Sequence, residues 1–212
     1  MRMIFVFSYQ REQMLKQVLK DLKGEDVFVL DDGSDFKIKH PKTIRFKHGG
    51  KEKFWEKWFF ALKLAEGTDD DFFMFMPSDF LNIDLVKIKE IHSQYNHKPY
   101  VYNIINDGRE MCWNNLRPLI KDRNTEQVFF TDCGFFCNRA ALEAIEFKIK
   151  EVDKGRFIKR KDISSGVGQN LTYAFNRNGV KMYKPNESLA FHGDHESTMH
   201  LEHRKQLPLI SI

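Results

Sequence analysis

The sequence predicts an α/β fold in which a mixed, mainly parallel sheet is flanked by helices. Two observations carry this reading. Short, almost uniformly apolar runs recur at 3–7, 27–30 and 72–76, the pattern of strands covered on both faces. Amphipathic stretches of helical period separate them, and a strand, helix, strand order builds parallel pairs through right-handed crossovers.

Taken in order, the run at 3–7 is the first strand. The chain then turns into a helix with Met14, Leu15, Val18, Leu19 and Leu22 on one face and Gly24 as its stop. Residues 27–30 form the next buried strand and 44–46 a third, short one. After His48-Gly49-Gly50, a helix over 52–65 carries Trp55, Trp58, Phe59 and Leu62 as an apolar stripe. Residues 72–76 make a central strand closed by Pro77, and a helix over 84–95 lines up Leu85, Ile88, Ile91 and Tyr95. Another strand is expected at 100–105. The stretch 106–126 has no clean period and reads as a loop-rich insertion holding Trp113, Arg117 and Arg123. A strand over 128–136 and helices over 139–147 and 167–178 follow, the last ending at Gly179. The tail from 206 onward is apolar at Leu207, Leu209 and Ile210 and is expected to pack on the domain or on another subunit.

At 212 residues the chain suits one domain with a filled core, and no composition shift marks a boundary. Hydrophobic residues at 42% and charged residues at 30% exclude disorder as the main state, and 20 Phe make the core unusually aromatic. No apolar run approaches the roughly 20 residues of a membrane-spanning helix. The start MRMIFVFSY runs straight into a strand, so a soluble, cytoplasmic protein is expected. Cys112, Cys133 and Cys137 are too few and too irregular for a disulfide framework. Cys133 and Cys137 lack a second pair at zinc spacing, which favours buried thiols over metal ligands. The net charge of +4 permits a polyanionic partner without requiring one.

Two of the apolar runs end on acids. VFVLDDGSD at 27–35 finishes on Asp31 and Asp32, and FFMFMPSDF at 72–80 on Ser78 and Asp79. Ligands of open α/β sheets bind at the carboxyl ends of the strands, so both sets of acids point to one crevice. Alone, Asp31-Asp32-Gly33-Ser34 reads as a polar turn. After the second strand, its carboxylates suit a base edge or ribose hydroxyls, and Gly33 lets the backbone approach closely. Neither GxGxxG nor GxxxxGK[ST] is present, so any nucleotide is held by other means. Asp79 is the candidate for a hard cation bridging diphosphate oxygens, with Ser78 and Asn82 assisting through water. The competing role for Ser78 or Asp79 is to cap the following helix. FHGDHESTMH at 191–200 supplies His192, Asp194, His195 and Glu196 close together. Either His192 or His195 suits a place beside Asp79, with the chain turning at Gly193, while His200 and His203 face solvent.

In this order, FSYQRE, VFVLDDGSD, HGG before an aromatic helix, FMPSDF, TDCGFFCNRAAL and a late His resemble the GT-A glycosyltransferases, especially family 2-like members, over most of the chain. The resemblance implies a single GT-A-like, Rossmann-like domain, with residues 1–105 as the nucleotide-sugar half and 106–212 as the acceptor half. It implies transfer of a sugar from a nucleotide-diphosphate donor, a UDP-sugar, to a hydroxyl, with Mn²⁺ or Mg²⁺ as cofactor. Asp31 and Asp32 would then hold uracil and ribose, and Ser8, Tyr9, Arg11, Gly33, Lys53 and Ser78 would complete the nucleotide site. Asp79 with His192 or His195 would hold the metal. More narrowly, HGGKEKFW, FMPSDF, SSGVGQ and HGDHES resemble phage-encoded glycosyltransferases that modify hydroxymethylated DNA bases. That implies DNA bearing hydroxymethylpyrimidines as partner, and the host cytoplasm as location.

Two departures from the family pattern bear on mechanism. Pro77-Ser78-Asp79 has one acid where the family often has two, which puts full metal dependence in doubt. The helix that opens on an acidic pair in the family opens here on SSGVGQN at 164–170, with Gln169 in place of an acid. An amide does not take up a proton, so an inverting reaction needs its base elsewhere. Asp132, at the end of VFFTD, is the first choice and Asp194 the second; the competing role for Asp132 is a turn acid paired with an Arg. Gly166 and Gly168 leave backbone amides for a phosphate or acceptor oxygen, or are structural.

The run at 148–162 holds Lys148, Lys150, Lys154, Arg156, Lys159, Arg160 and Lys161 against Glu151, Asp153 and Asp162. Such a run is ordinarily a solvated loop. Beside the DNA-modifying resemblance, Lys154, Arg156, Lys159, Arg160 and Lys161 become phosphate contacts, and Trp113 and Arg117 brace the gap left by a flipped base. Two other readings stand beside this one. The acceptor is a glycan, lipid or small molecule and the basic run is solvated, or the domain binds a sugar nucleotide or nucleic acid without catalysis, as Ser78 and Gln169 would allow.

Overall fold

The computed structural model describes residues 2–106, 120–121, 125–128, 130–131, 134–155, 157 and 165–193. The elements of the first half are β1 (Arg2–Ser8), α1 (Glu12–Asp21), β2 (Asp26–Asp31), β3 (Thr43–Arg45), α2 (Phe54–Glu66), β4 (Phe72–Pro77), β5 (Phe80–Leu81), α3 (Leu85–Tyr95) and β6 (Tyr100–Asn103). A 3-10 turn, Gly50–Lys53, leads into α2. The second half adds β7 (Ile120–Lys121), β8 (Thr125–Val128), β9 (Phe135–Asn138), α4 (Arg139–Ala144), α5 (Val167–Arg177), β10 (Lys181–Pro185) and β11 (Phe191–His192).

One sheet runs in the order β3-β2-β1-β4-β9-β6-β10-β8-β7, and β5 and β11 form a separate small ribbon. β1 pairs parallel with β2 and β4, and β2 with β3; β9 then enters antiparallel to both β4 and β6. Only β8 and β9 oppose the common strand direction, so the sheet is mixed and mainly parallel as expected. Registers Ser8↔Asp31 and Phe7↔Pro77 align the carboxyl ends of β2, β1 and β4 at one edge. That alignment places Asp31, Ser8 and the Ser78-Asp79 pair side by side.

Alternation along the strands divides the core in two. Phe5, Phe7, Phe73 and Phe75 face α2, where the buried Trp58 ring stacks on Phe7 at 4.7 Å, on Phe75 at 5.0 Å and on Phe135 at 5.6 Å. Ile4, Val6, Met74 and Met76 face the other way, toward Leu15 and Val18 of α1 and Ile88 and Ile91 of α3. Three expectations need correction. Phe59 is 42% exposed, because the buried stripe of α2 runs through Trp58, Ala61, Leu62 and Ala65 and includes Lys57. The single strand expected over 128–136 is two, β8 ending at Val128 and β9 starting at Phe135. Helix α3 is capped by Asp84, whose side chain accepts from the Lys87 amide at 2.9 Å, so neither Ser78 nor Asp79 caps it.

His92 lies at the far end of the sheet from the acids. Its Nδ1 is 2.7 Å from the Tyr100 hydroxyl, its ring meets Phe72 edge-on, and its Nε2 is 3.8 Å from Asp71. Burial lowers its pKa below the ordinary value of 6.5 despite the nearby carboxylate. The unfolded chain therefore takes up a proton at a pH where the folded one does not, and stability falls as pH drops below about 6.5. His92→Gln should flatten that fall. Urea midpoints from pH 7.5 to pH 5.5 check it, and equal slopes for the two proteins would discard it.

Among the described residues no helix is long and apolar enough to cross a membrane.

Candidate active site at the strand carboxyl ends

The loops that leave β1 and β2 are tied together. Asp32 N–H donates to the Ser8 carbonyl at 2.9 Å, Gln10 N–H to Ser34 Oγ at 2.9 Å, and Gln10 Nε2 to Asp35 at 2.7 Å. Gln10 adopts a φ of 52 to make these contacts, while Gly33, at φ 79, has no room for a Cβ beside the His48 backbone nitrogen, 2.9 Å away. Gly33 is thus required for close backbone packing.

Both acids after β2 are engaged within the protein. Asp31 is fully buried; its Oδ2 meets Arg45 Nε at 2.8 Å and its Oδ1 accepts from Ser34 Oγ at 2.5 Å. Asp32 Oδ1 accepts from buried Lys57 Nζ at 2.5 Å and from Gly49 N–H at 3.1 Å, and Oδ2 accepts from Gly50 N–H at 3.2 Å. His48 Nδ1 lies 3.1 Å from the same Oδ2, and the His48 ring stacks on Tyr9 at 4.3 Å. Asp32 therefore clamps the His48-Gly49-Gly50 turn over the end of β2. A nucleoside reaching Asp31 would have to displace Arg45 or Ser34. Lys53 is exposed, its side-chain stem lies against Gly49, and its carbonyl is 3.4 Å from Lys57 Nζ.

Asp79 forms the second centre. Beyond β4 the chain enters β5, and β11 pairs with it in the register His192↔Phe80, locked further by Gly193 N–H donating to the Asp79 carbonyl at 2.8 Å. This ribbon brings His192 Nε2 to 3.5 Å from Asp79 Oδ2, and Arg11, at the start of α1, donates from Nη1 to the same oxygen. Among the described residues, the other oxygen, Oδ1, is buried without a hydrogen-bond partner, as is the Ser8 hydroxyl; Asp79 and Ser8 are each 4% exposed. A buried carboxylate oxygen left unpaired is costly, and a cation relieves it. A carboxylate and an imidazole together suit Mn²⁺, so these two residues fit a divalent ion. Among the described residues, no three His, Cys, Asp or Glu side chains gather as a metal site.

The remaining candidates are less centrally placed. Ser78 is buried, its N–H donating to the Phe7 carbonyl at 2.9 Å. Gln169 is exposed to partial depth and donates to the Tyr173 hydroxyl at 3.3 Å. Gly166 is the N-cap of α5 at φ 81. Lys154 is exposed beside Glu151 at 3.9 Å. Asp132, Asp194, His195, Arg156, Lys159, Arg160, Lys161, Trp113 and Arg117 lie outside the described residues.

Sequence reasoning missed Lys57, His48 and Arg45 as partners of the acids. Lys57 had a signal, since a lysine at the helical spacing of Trp58, Ala61 and Leu62 falls on the buried face and demands an acid there.

A mainly parallel sheet with an antiparallel strand beside its central strand, acids at its carboxyl edge and a small ribbon covering them is the GT-A fold. Solved structures match it at low identity. Staphylococcus aureus TarS aligns at TM-score 0.60 and 13% identity, over 92% of this chain and 37% of its own. TarS 1-349 aligns at TM-score 0.60 and 15% identity, over 91% of this chain and 60% of its own. The chain thus spans less than two thirds of either TarS structure. Glucosyl-3-phosphoglycerate synthase from Mycobacterium tuberculosis, solved with Mn²⁺ and UDP-glucose, aligns at TM-score 0.54 and 13% identity, over 91% of this chain and 71% of its own. No family model and no curated protein matches the chain.

Proposed function

We propose that the protein is a glycosyltransferase that moves a sugar from a nucleotide-diphosphate donor, a UDP-sugar, to a hydroxyl acceptor. The observation that carries this is Asp79, whose unpartnered buried oxygen sits at the carboxyl end of β4 under a histidine delivered by the ribbon. The structural likeness to an enzyme solved with Mn²⁺ and UDP-glucose supports the same reading. Residues 1–105 hold the donor and residues 106–212 the acceptor.

Asp79 and His192 would hold Mn²⁺ or Mg²⁺, which supplies Lewis-acid stabilisation of the departing diphosphate. The chain itself does the rest. Asp32, Lys57 and His48 hold the turn that walls the donor pocket, and Tyr9 extends it with an aromatic face. Asp132 takes the acceptor proton, with Asp194 as the second candidate. Thr131, the residue before Asp132, is held on both backbone and side chain. Thr131 N–H donates to Thr172 Oγ1 at 3.0 Å, Thr172 Oγ1 donates back to the Thr131 carbonyl at 3.0 Å, and Thr131 Oγ1 donates to Asn103 Oδ1 at 2.8 Å.

The acceptor we favour is 5-hydroxymethylpyrimidine in DNA, supported by the sequence likeness to DNA-modifying transferases. A glycan, lipid or small-molecule acceptor has its own support in the basic run, where Lys148 pairs with Glu146 and Lys154 with Glu151 as in a solvated loop. Incubation with several nucleotide sugars and Mn²⁺ or Mg²⁺, with and without hydroxymethylated DNA, tests both levels. Released UDP supports the transferase, a mass shift on the base supports the DNA acceptor, and neither product from any donor refutes the proposal.

Salt dependence separates the acceptors further. If the basic run contacts phosphates, replacing Arg156, Lys159 and Arg160 together by Ala should make the log–log salt dependence of DNA affinity shallower by up to roughly 0.9 per lost contact. Binding to a hydroxymethylated duplex across a salt series measures this, and identical slopes assign the run to solvent.

A further inference from the structure

Arg11 stands where a second ligand to a cation would be expected to leave Asp79 free. Its guanidinium donates to Asp79 Oδ2, the same oxygen that His192 Nε2 approaches at 3.5 Å, and both side chains of the ion pair are shielded, with 12% and 5% of their surface exposed. A cation on Asp79 and a guanidinium in contact with the same carboxylate repel each other at short range, where solvent screens little. The backbone of Arg11 is fixed as the N-cap of α1, its carbonyl accepting from Leu15 N–H at 2.9 Å, so relief must come from its side chain turning elsewhere. A diphosphate is the group best able to draw it, because a planar guanidinium pairs bidentately with phosphate oxygens.

We propose that Arg11 is an exchangeable counter-ion. It neutralises Asp79 before donor arrives, and it passes to the donor diphosphate when a divalent cation takes its place on the carboxylate. The inference rests on the donor-and-cation reading of the site and deepens it, since it makes the two ligands bind with positive coupling: cation alone competes with Arg11, whereas cation with diphosphate does not. The single acid of Pro77-Ser78-Asp79 makes the exchange consequential, because Asp79 has no neighbouring carboxylate in its motif to share the two positive charges.

The test is Mn²⁺ binding, followed by the loss of the free-ion electron paramagnetic resonance signal, in the presence and absence of UDP. In wild type, Mn²⁺ alone should bind weakly and UDP should tighten it. An adjacent Arg weakens a carboxylate's hold on a proton by about ten- to a thousandfold. By the same electrostatics, Arg11→Gln should bind Mn²⁺ alone about tenfold more tightly or better, and UDP should add less to its affinity than it adds in wild type. Arg11→Lys keeps the charge while losing the bidentate fork, and it should retain weak Mn²⁺ binding without UDP; it also gives a result should the Gln variant fail to fold. Mn²⁺ bound equally by wild type and Arg11→Gln overturns the exchange and leaves the donor site standing. Mn²⁺ bound by neither protein, with or without UDP, overturns both the exchange and the cation's place in the site.

Discussion

Asp79→Asn is expected to lower sugar transfer at least about a hundredfold while leaving the far-ultraviolet circular dichroism of the protein unchanged. The amide keeps the shape of the carboxylate and can still accept from Arg11, so the local packing at the end of β4 survives. What disappears is the charge. Among the described residues Oδ1 is buried without a partner, and in the proposed site only a full negative charge there would compensate the desolvation of a divalent ion and hold it against a diphosphate. Lewis-acid stabilisation of a leaving group is worth several kcal/mol, and about 2.7 kcal/mol already corresponds to a hundredfold in rate. UDP release from the donor at saturating acceptor, measured with and without Mn²⁺, checks the expectation. Turnover by the variant at the wild-type rate, indifferent to metal, would remove Asp79 from the site.

The residues that made the fold readable are those buried on both faces. β1, β2 and β4 announce themselves because nearly every position faces a covered layer, and the acids stand out because charge follows directly on the runs of β2 and β4. β10 gave no comparable signal. In KMYKP two lysines flank Met182 and Tyr183, so no period-2 alternation shows, and only the pairing with β6 and β8 makes it a strand. The break between β8 and β9 was hidden for a related reason. Gly134 sits inside an apolar run, and its cause is tertiary, since a Cβ there would fall 2.3 Å from the Phe80 ring. Likewise β5 and β11 are two residues each, too short for any period, and their pairing joins segments far apart in the sequence, His192 opposite Phe80. The candidate acids and the approach of His192 to Asp79 were therefore legible in the sequence, whereas the cations that meet those acids, Arg11 and Arg45, were not. Arg11 meets Asp79 across 68 positions, and local spacing carries no trace of that contact.

Asp32 shows how far that gap changes an expected outcome. As a ligand contact alone, Asp32→Asn would weaken donor binding and little else. In the structure its two oxygens accept from Lys57 Nζ, Gly49 N–H and Gly50 N–H, and Lys57 is almost wholly buried in the stripe of α2. Removing the carboxylate leaves that ammonium in the core with the Lys53 carbonyl at 3.4 Å and the Phe46 ring at 5.7 Å as its surroundings. Breaking one side of a buried pair costs about 3–5 kcal/mol. For a chain of this length that lowers the thermal midpoint by roughly 10 °C. Asp32→Asn/Lys57→Met removes both charges and spares the orphaned ammonium, so it should be more stable than Asp32→Asn alone. The cycle completed with Lys57→Met should return a coupling of at least about 1 kcal/mol. Urea unfolding of the four proteins, paired with UDP affinity, decides between the two roles. An Asp32→Asn protein as stable as wild type, with only its donor affinity reduced, would make Asp32 a ligand contact and not the clamp of the His48-Gly49-Gly50 turn.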